Sequence, residues 1–303
     1  MGKQRVGAIL LFSYAVSVLA TGGRAASVID FIDFSLRGDN GELLLPGRLY
    51  VPSESLADPD ASRPLILFLH GAGERGTNNV SQINLNIDNL LAEAKQRGAF
   101  LYAPQSNTSW ADLMVTMHID AMLGRALSEQ GVDPFRLYVT GLSMGGGGVW
   151  NLMHRYPDRF AAGVPIAAIA PAAGFNPANL TDQSTWAFHA RNDSVVHFSA
   201  SRNAVNSILS AVGEAPPNYP GIRDTTTFFE YASSALDLRY TEPPSGGHGI
   251  WPLVYGFEPM YDWMFARTTA VPEPSVGVLL IAGIGSMLIL QVRRRRETSD
   301  YLK

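Results

Sequence analysis

The chain has no cysteine among its 303 residues, which excludes a disulfide scaffold, thiolate catalysis and any thiolate-ligated zinc or iron–sulfur centre. Charge is scarce as well. Charged residues make up 17% and hydrophobic residues 46%, a balance that supplies a buried core and excludes intrinsic disorder for most of the chain. No internal repeat divides it, and no long linker. The formal charge of −4 averages unlike parts. Three of the 23 basic residues precede residue 26 (Lys3, Arg5, Arg24) and five follow residue 270 (Arg293 to Arg296 and Lys303), which leaves 15. Three of the 27 acidic residues (Glu273, Glu297, Asp300) lie in the same C-terminal stretch, which leaves 24 and a body near −9. A body of that sign lacks the positive surface that would displace counterions from phosphates, so no nucleic-acid partner is expected.

The two ends read as addresses. Lys3 and Arg5 precede an apolar run over 6–20, followed by Thr21-Gly22-Gly23-Arg24-Ala25-Ala26. A basic start, an apolar stretch too short to span comfortably and small residues at a cleavage point predict a secretory signal peptide over 1–26, cut after Ala25 or Ala26. A retained membrane anchor is the alternative. The other end, 269–303, carries Val271-Pro272-Glu273-Pro274-Ser275, an apolar stretch over 276–290 and Arg293-Arg294-Arg295-Arg296. The prolines end the preceding helix, the apolar residues suffice for a short transmembrane helix, and the arginines resist translocation. This ordered trio resembles the PEP-CTERM sorting signal. The resemblance implies processing by an exosortase-type enzyme, attachment to the inner membrane through the tail, and export to the cell surface, periplasm or extracellular matrix of a Gram-negative bacterium.

Between the ends, short apolar runs alternate with longer amphipathic stretches. This pattern predicts β-α-β units in a mostly parallel sheet, an α/β fold forming one domain over 27–268. Strands are expected at 47–51, 64–69, 99–103, 136–140, 163–169, 185–189 and 238–241, and helices at 84–97, 112–129, 145–155, 199–211 and 252–266. The proline-rich stretch 214–224 reads as a surface excursion and 176–184 as part of a substrate rim.

The strongest local signal is Tyr138-Val139-Thr140-Gly141-Leu142-Ser143-Met144-Gly145-Gly146-Gly147-Gly148. Here an apolar strand runs into Gly-x-Ser-x-Gly and then a helical stretch, the pattern of a nucleophile elbow. A glycine-rich phosphate loop would need a lysine that the run lacks. A serine hydroxyl is a poor nucleophile at neutral pH, so Ser143 needs a histidine base and an acid to orient it. Of six histidines, His70 and His118 come too early for the chain order serine, acid, histidine that this architecture uses. His154 lies down the helix that starts at the elbow, His189 sits inside an apolar strand run as a hydrogen-bonded core residue, and His197 follows Asp193 too closely. His248, among glycines in Ser245-Gly246-Gly247-His248-Gly249, remains as the base. Asp193 lies just past a strand and is the expected acid. Asp182 and Asp237 fall at the wrong strand ends, and Asp158 belongs to a helix-terminating turn. The oxyanion donors are expected from the backbone N–H of Met144 and from Ala72 or Gly73 in His70-Gly71-Ala72-Gly73-Glu74-Arg75-Gly76. Glu74 and Arg75 either hold this loop in shape or are solvated.

With these stretches in place, the chain resembles an α/β-hydrolase of the phospholipase/carboxylesterase-like branch, often labelled predicted peptidase or esterase. The motifs that carry the resemblance also include Tyr156-Pro157-Asp158-Arg159-Phe160, Phe188-His189-Ala190-Arg191-Asn192-Asp193 and Gly247-His248-Gly249-Ile250-Trp251. It implies Ser143 as nucleophile, Asp193 as orienting acid and His248 as general base, with no metal or organic cofactor and a small-molecule or polysaccharide-linked ester as substrate. Gly147, Ala190 and His197 depart from the residues common in that branch, which leaves the pocket open. Two rival readings stand beside the esterase: a surface or matrix binding protein on an inactive hydrolase fold, and a serine peptidase on the same machinery.

Overall fold

The computed structural model describes residues 26–58, 61–84 and 87–269. The expected signal peptide over 1–26, apart from Ala26, and the trio that resembles PEP-CTERM, with the membrane span expected within it, therefore lie outside the described residues. Among the described residues no helix is long and apolar enough to cross a membrane.

The strands are β1 (Ile32–Asp33), β2 (Leu36–Arg37), β3 (Leu43–Leu45), β4 (Gly47–Tyr50), β5 (Arg63–Leu69), β6 (Phe100–Pro104), β7 (Val132–Leu142), β8 (Ala162–Ile166), β9 (Ser184–Phe188), β10 (Phe229–Ala232) and β11 (Leu238–Glu242). The helices are α1 (Ser53–Ala57), α2 (Ser81–Asn84), α3 (Asp88–Gln96), α4 (Leu113–Gln130), α5 (Met144–Arg155), α6 (Ser199–Ala211), α7 (Trp251–Tyr255) and α8 (Glu258–Phe265). Nine strands form one sheet in the order β1-β4-β6-β5-β7-β8-β9-β11-β10, and β2 pairs with β3 apart from it. The six strands from β6 to β11 in that order are mutually parallel, while β1, β4 and β10 add antiparallel margins.

Strand β5 shows why the interior divides in two. Its successive side chains point to opposite faces, so Leu65, Leu67 and Leu69 enter the core shared with α4, α5 and α6, whereas Ile66 and Phe68 enter the core shared with α3, α7 and α8. Both faces are covered, and all six residues from Pro64 to Leu69 are buried, as in a central parallel strand.

The architecture is the expected α/β fold with a mostly parallel sheet, and the differences have local causes. The helix expected over 252–266 is two helices, because Gly256 and Phe257 interrupt it and Pro259 lacks the N–H that an uninterrupted helix would use. The helix expected from residue 84 starts at Asp88, with the short α2 before it. The strand expected over 163–169 stops at Ile166, since Ala167 turns to a φ of 45°. Strands β1, β2, β3 and β10 were not foreseen. All are short, with exposed positions that blur the alternation.

Candidate active site

Parallel strands place their carboxyl ends on one edge, and the candidate residues follow those ends. Ser143 succeeds β7 directly, Ala72 and Gly73 come three and four residues after β5, Asp193 five after β9, and His248 six after β11. All four strands belong to the parallel part of the sheet.

Ser143 sits between β7 and α5 with φ 56° and ψ −114°, a conformation that costs a non-glycine residue about 1–3 kcal/mol. It is held there by its neighbours. Its N–H donates to the Ile166 carbonyl (2.9 Å), and its own carbonyl accepts from Gly147 N (3.1 Å) and Ile169 N (3.2 Å). The turn also forces α5 onto the sheet. A Cβ on Gly145 would lie 1.9 Å from the Leu69 carbonyl oxygen, and one on Gly141 would lie 2.6 Å from Gly145. Both neighbours are backbone, so Gly145→Ala is expected to lower stability by about 2–3 kcal/mol, read as a fall of roughly 5–10 °C in melting temperature.

The three chain-distant side chains meet. Ser143 Oγ lies 2.9 Å from His248 Nε2, and His248 Nδ1 lies 2.7 Å from Asp193 Oδ2. With the Nδ1–H donated to the carboxylate, Nε2 presents a lone pair to the serine hydroxyl. Asp193 is buried, Ser143 and His248 partly so, which leaves the hydroxyl open to a substrate. Burial alone would raise the Asp193 carboxyl. Hydrogen bonds from His248 and from the N–H groups of Val196 and Val195 outweigh it and hold the carboxyl below its usual range. The histidine loop is fastened to the acid loop by Gly247 N–H, which donates to Asn192 Oδ1 (2.8 Å). The imidazole meets Trp251 edge-on at 5.5 Å between ring centres.

The loop after β5 is braced from behind. Trp110 Nε1 donates to the His70 carbonyl (2.9 Å), Gln105 Nε2 donates to the Glu74 carbonyl (3.0 Å), and Gly76 N donates to Ser106 O (3.1 Å). His70 is neutral, since burial pushes its pKa down to about 4. Its Nδ1–H donates to Gly71 O (2.7 Å), and Nε2 accepts from Ser106 N (3.1 Å). Ala72 and Gly73 stand exposed at the tip, and Met144 opens α5 beside the serine. Glu74 is buried, which raises its carboxyl, against hydrogen bonds from the Glu74 and Gly71 N–H groups. Arg75 Nε donates to the Ala72 carbonyl (3.1 Å). Both charged residues thus help to shape the loop.

The other expectations sort themselves by position. His154 Nδ1 accepts from Asn176 N–H (3.1 Å), far along α5. His197 is exposed, against Ser199 Oγ at 2.8 Å. Asp237 pairs with Arg267 (2.7 Å). Stretch 176–184 is not a rim of this site. It reaches the amino end of β9, where Ala178, Asn179, Asp182 and Gln183 line a cavity of about 490 Å³ with Phe135 and Phe160.

Two features escaped the sequence reading. His189 is buried and hydrogen-bonded as expected, but one of its partners is Asp193 (Nε2 to Oδ2, 3.1 Å). The spacing of four residues across a strand end gives no sign of that contact. The second is a buried ion cluster in which Glu242 takes Arg191 Nε (2.6 Å), Arg202 Nη2 (2.6 Å) and the Tyr240 hydroxyl (2.8 Å). It joins the end of β11, which leads to His248, to the loop that carries Asp193.

No family model matches the sequence. Over 169 residues the chain is 30% identical to a poly(3-hydroxybutyrate) depolymerase from Ralstonia pickettii, an alignment covering 48% of this chain and 34% of that protein. Among solved structures, a thermostable esterase aligns with a TM-score of 0.64 at 28% identity, over 80% of this chain and 64% of the other. An acetyl xylan esterase from Aspergillus awamori aligns with a TM-score of 0.53 at 14% identity, over 78% of this chain and 97% of the other, a likeness of fold. The chain thus spans about a third of the depolymerase and under two thirds of the thermostable esterase. The proteins it is similar to include a depolymerase, esterases, a serine hydrolase and dipeptidyl peptidases, and the likeness they share with this chain is the α/β fold with its mostly parallel sheet.

Proposed function

We propose that the chain is an exported serine hydrolase that cleaves carboxylic esters through an acyl-enzyme. The observation that carries this reading is the unbroken chain of hydrogen bonds from Ser143 Oγ through His248 to Asp193. As the ester carbonyl is attacked, His248 Nε2 takes the serine proton. The imidazolium that forms is stabilised by the ionised Asp193, which keeps Nδ1–H pointed at Oδ2. The carbonyl oxygen gains negative charge, for which the N–H of Met144 and that of Ala72 or Gly73 are the donors, at the positive end of α5. His248 then returns its proton to the departing alcohol. In the second half, water loses a proton to His248 and attacks the acyl carbonyl, and as the acid leaves His248 returns that proton to Ser143 Oγ.

Export rests on the sequence ends alone. The basic start, apolar run and small residues up to Ala26, with the Pro-Glu-Pro trio at the far end, suit delivery across an inner membrane and trimming by an exosortase-type enzyme.

Turnover of p-nitrophenyl acetate and feruloyl esters, set beside aminoacyl p-nitroanilides, tests the reaction class. Ester cleavage with little or no amide cleavage is expected. Preferential amide cleavage would make the chain a peptidase, and tight polysaccharide binding without any acyl cleavage would make it a binding protein.

A further inference from the structure

Asp193 is held by more than His248. Its Oδ1 accepts from Val195 N (2.8 Å) and Val196 N (2.9 Å), and its Oδ2 takes both His248 Nδ1 (2.7 Å) and His189 Nε2 (3.1 Å). The side chains of His189 and Asp193 are fully buried. The protonation of His189 follows from its neighbours. Nε2 faces two acceptors, Asp193 Oδ2 and the Val196 carbonyl (2.9 Å), so Nε2 carries the proton. Nδ1 faces Ser201 Oγ at 2.8 Å, on the first turn of α6. In the neutral ring Nδ1 therefore accepts the Ser201 hydroxyl proton. Turned to the other tautomer, the ring would set a lone pair against two oxygens in a space closed to water.

We propose that His189, fixed by Ser201 in the tautomer with its proton on Nε2, is a positioning residue that holds the carboxylate oxygen facing His248. This inference rests on the reading of Ser143, His248 and Asp193 as a catalytic group and extends it to Ser201-His189-Asp193-His248-Ser143. The carboxylate could rotate about its own χ2 and still keep one oxygen near His248. The Nε2–H, together with the two N–H groups on Oδ1, leaves one orientation in which all four donors are satisfied. The expected loss is therefore in turnover and not in substrate affinity, because the His189 side chain is fully buried against Asp193 and Ser201, where no substrate reaches it.

The test compares near-isosteric amides in the full chain. In His189→Gln the amide nitrogen reaches the position of Nε2, while in His189→Asn it reaches only that of Nδ1. On p-nitrophenyl acetate, His189→Asn is expected to lower kcat by about ten-fold or more with KM within about two-fold, and His189→Gln to keep kcat within about three-fold of the parent. Equal kcat in the two variants, whether both fall or both stay at the parent level, overturns the assignment. Should the asparagine variant fail to fold by far-ultraviolet circular dichroism, Ser201 decides. A fall in kcat of about three-fold or more in Ser201→Ala at unchanged KM, restored by Ser201→Thr, supports it, and parent-level kcat in Ser201→Ala overturns it. The hydrolase reading is checked separately on the parent chain. A folded parent that turns over no ester and takes no fluorophosphonate removes both, whereas an active parent with indistinguishable His189 variants removes only this one.

Discussion

Ser143→Ala is expected to lower kcat/KM on p-nitrophenyl acetate by about a thousand-fold or more while leaving the fold and melting temperature close to those of the parent. The size follows from what the side chain alone supplies. No other described hydroxyl is within hydrogen-bond distance of His248 Nε2, so its removal leaves the imidazole with nothing to activate except water. The residual rate would come from the N–H donors and from binding, which the substitution does not touch. Stability should change little, because the partly exposed Oγ has His248 as its hydrogen-bond partner among the described residues and the positive φ at residue 143 is imposed by the backbone around it. Steady-state kinetics and a thermal melt of the same preparation check both halves of the expectation.

Glu242→Gln is expected to destabilise the chain by about 3–5 kcal/mol, read from urea unfolding. The Glu242 side chain is fully buried, as is nearly all of Arg191, and Arg202 is mostly so. The amide would leave Arg202 in the interior without the carboxylate it is bonded to, and Arg191 with only the more distant Asp224 carboxylate (3.8 Å). Arg191 also donates to the Asp224 carbonyl (2.6 Å) and the Thr227 carbonyl (2.9 Å), and Arg202 Nη2 donates to the Pro220 carbonyl (3.1 Å). The same cluster therefore pins the irregular stretch before β10. Activity should fall with it, since Arg191 lies two residues before Asp193 and its N–H donates to Pro243 O (2.9 Å), at the base of the His248 loop.

Acid should weaken the same two places. Burial opposes ionisation of both Asp193 and Glu242, yet their hydrogen bonds and cations hold each carboxyl below its usual value. Their folded-state pKa values lie below those of the unfolded chain, near 4. The stabilisation is therefore fully present above about pH 4 to 5 and is lost as pH falls through the folded-state values. Urea midpoints measured from pH 7 down to pH 3 should decline in the lower part of that range, and Glu242→Gln should flatten the decline.

How much of this was legible beforehand depends on the range over which the physics acts. The central strands announce themselves because the stretch of a strand covered on both faces must be apolar, as β5 is from Pro64 onward and β8 is throughout. The elbow is local too. A serine at positive φ between glycines that a Cβ would drive into backbone is written in consecutive residues. The convergence of Asp193 and His248 on Ser143 could be reached by chain order and strand ends, since parallel strands share one edge. Contacts that depend on side-chain direction could not. His189 reads as an interior histidine, and only the path of the loop over residues 190–196 brings Asp193 back beneath its ring. Stretch 176–184 looked like a rim, but a crossover from β8 to β9 must return to the opposite edge of the sheet, and that is where its cavity lies.

The central claim is that Ser143 is the nucleophile, and covalent capture tests it most directly. The purified chain is incubated with a fluorophosphonate, digested, and its peptides are weighed by mass spectrometry. The account predicts one phosphonyl adduct per chain, on Ser143, and none in Ser143→Ala. A folded chain that stays unmodified, or one modified on a different residue while Ser143 remains free, would contradict it.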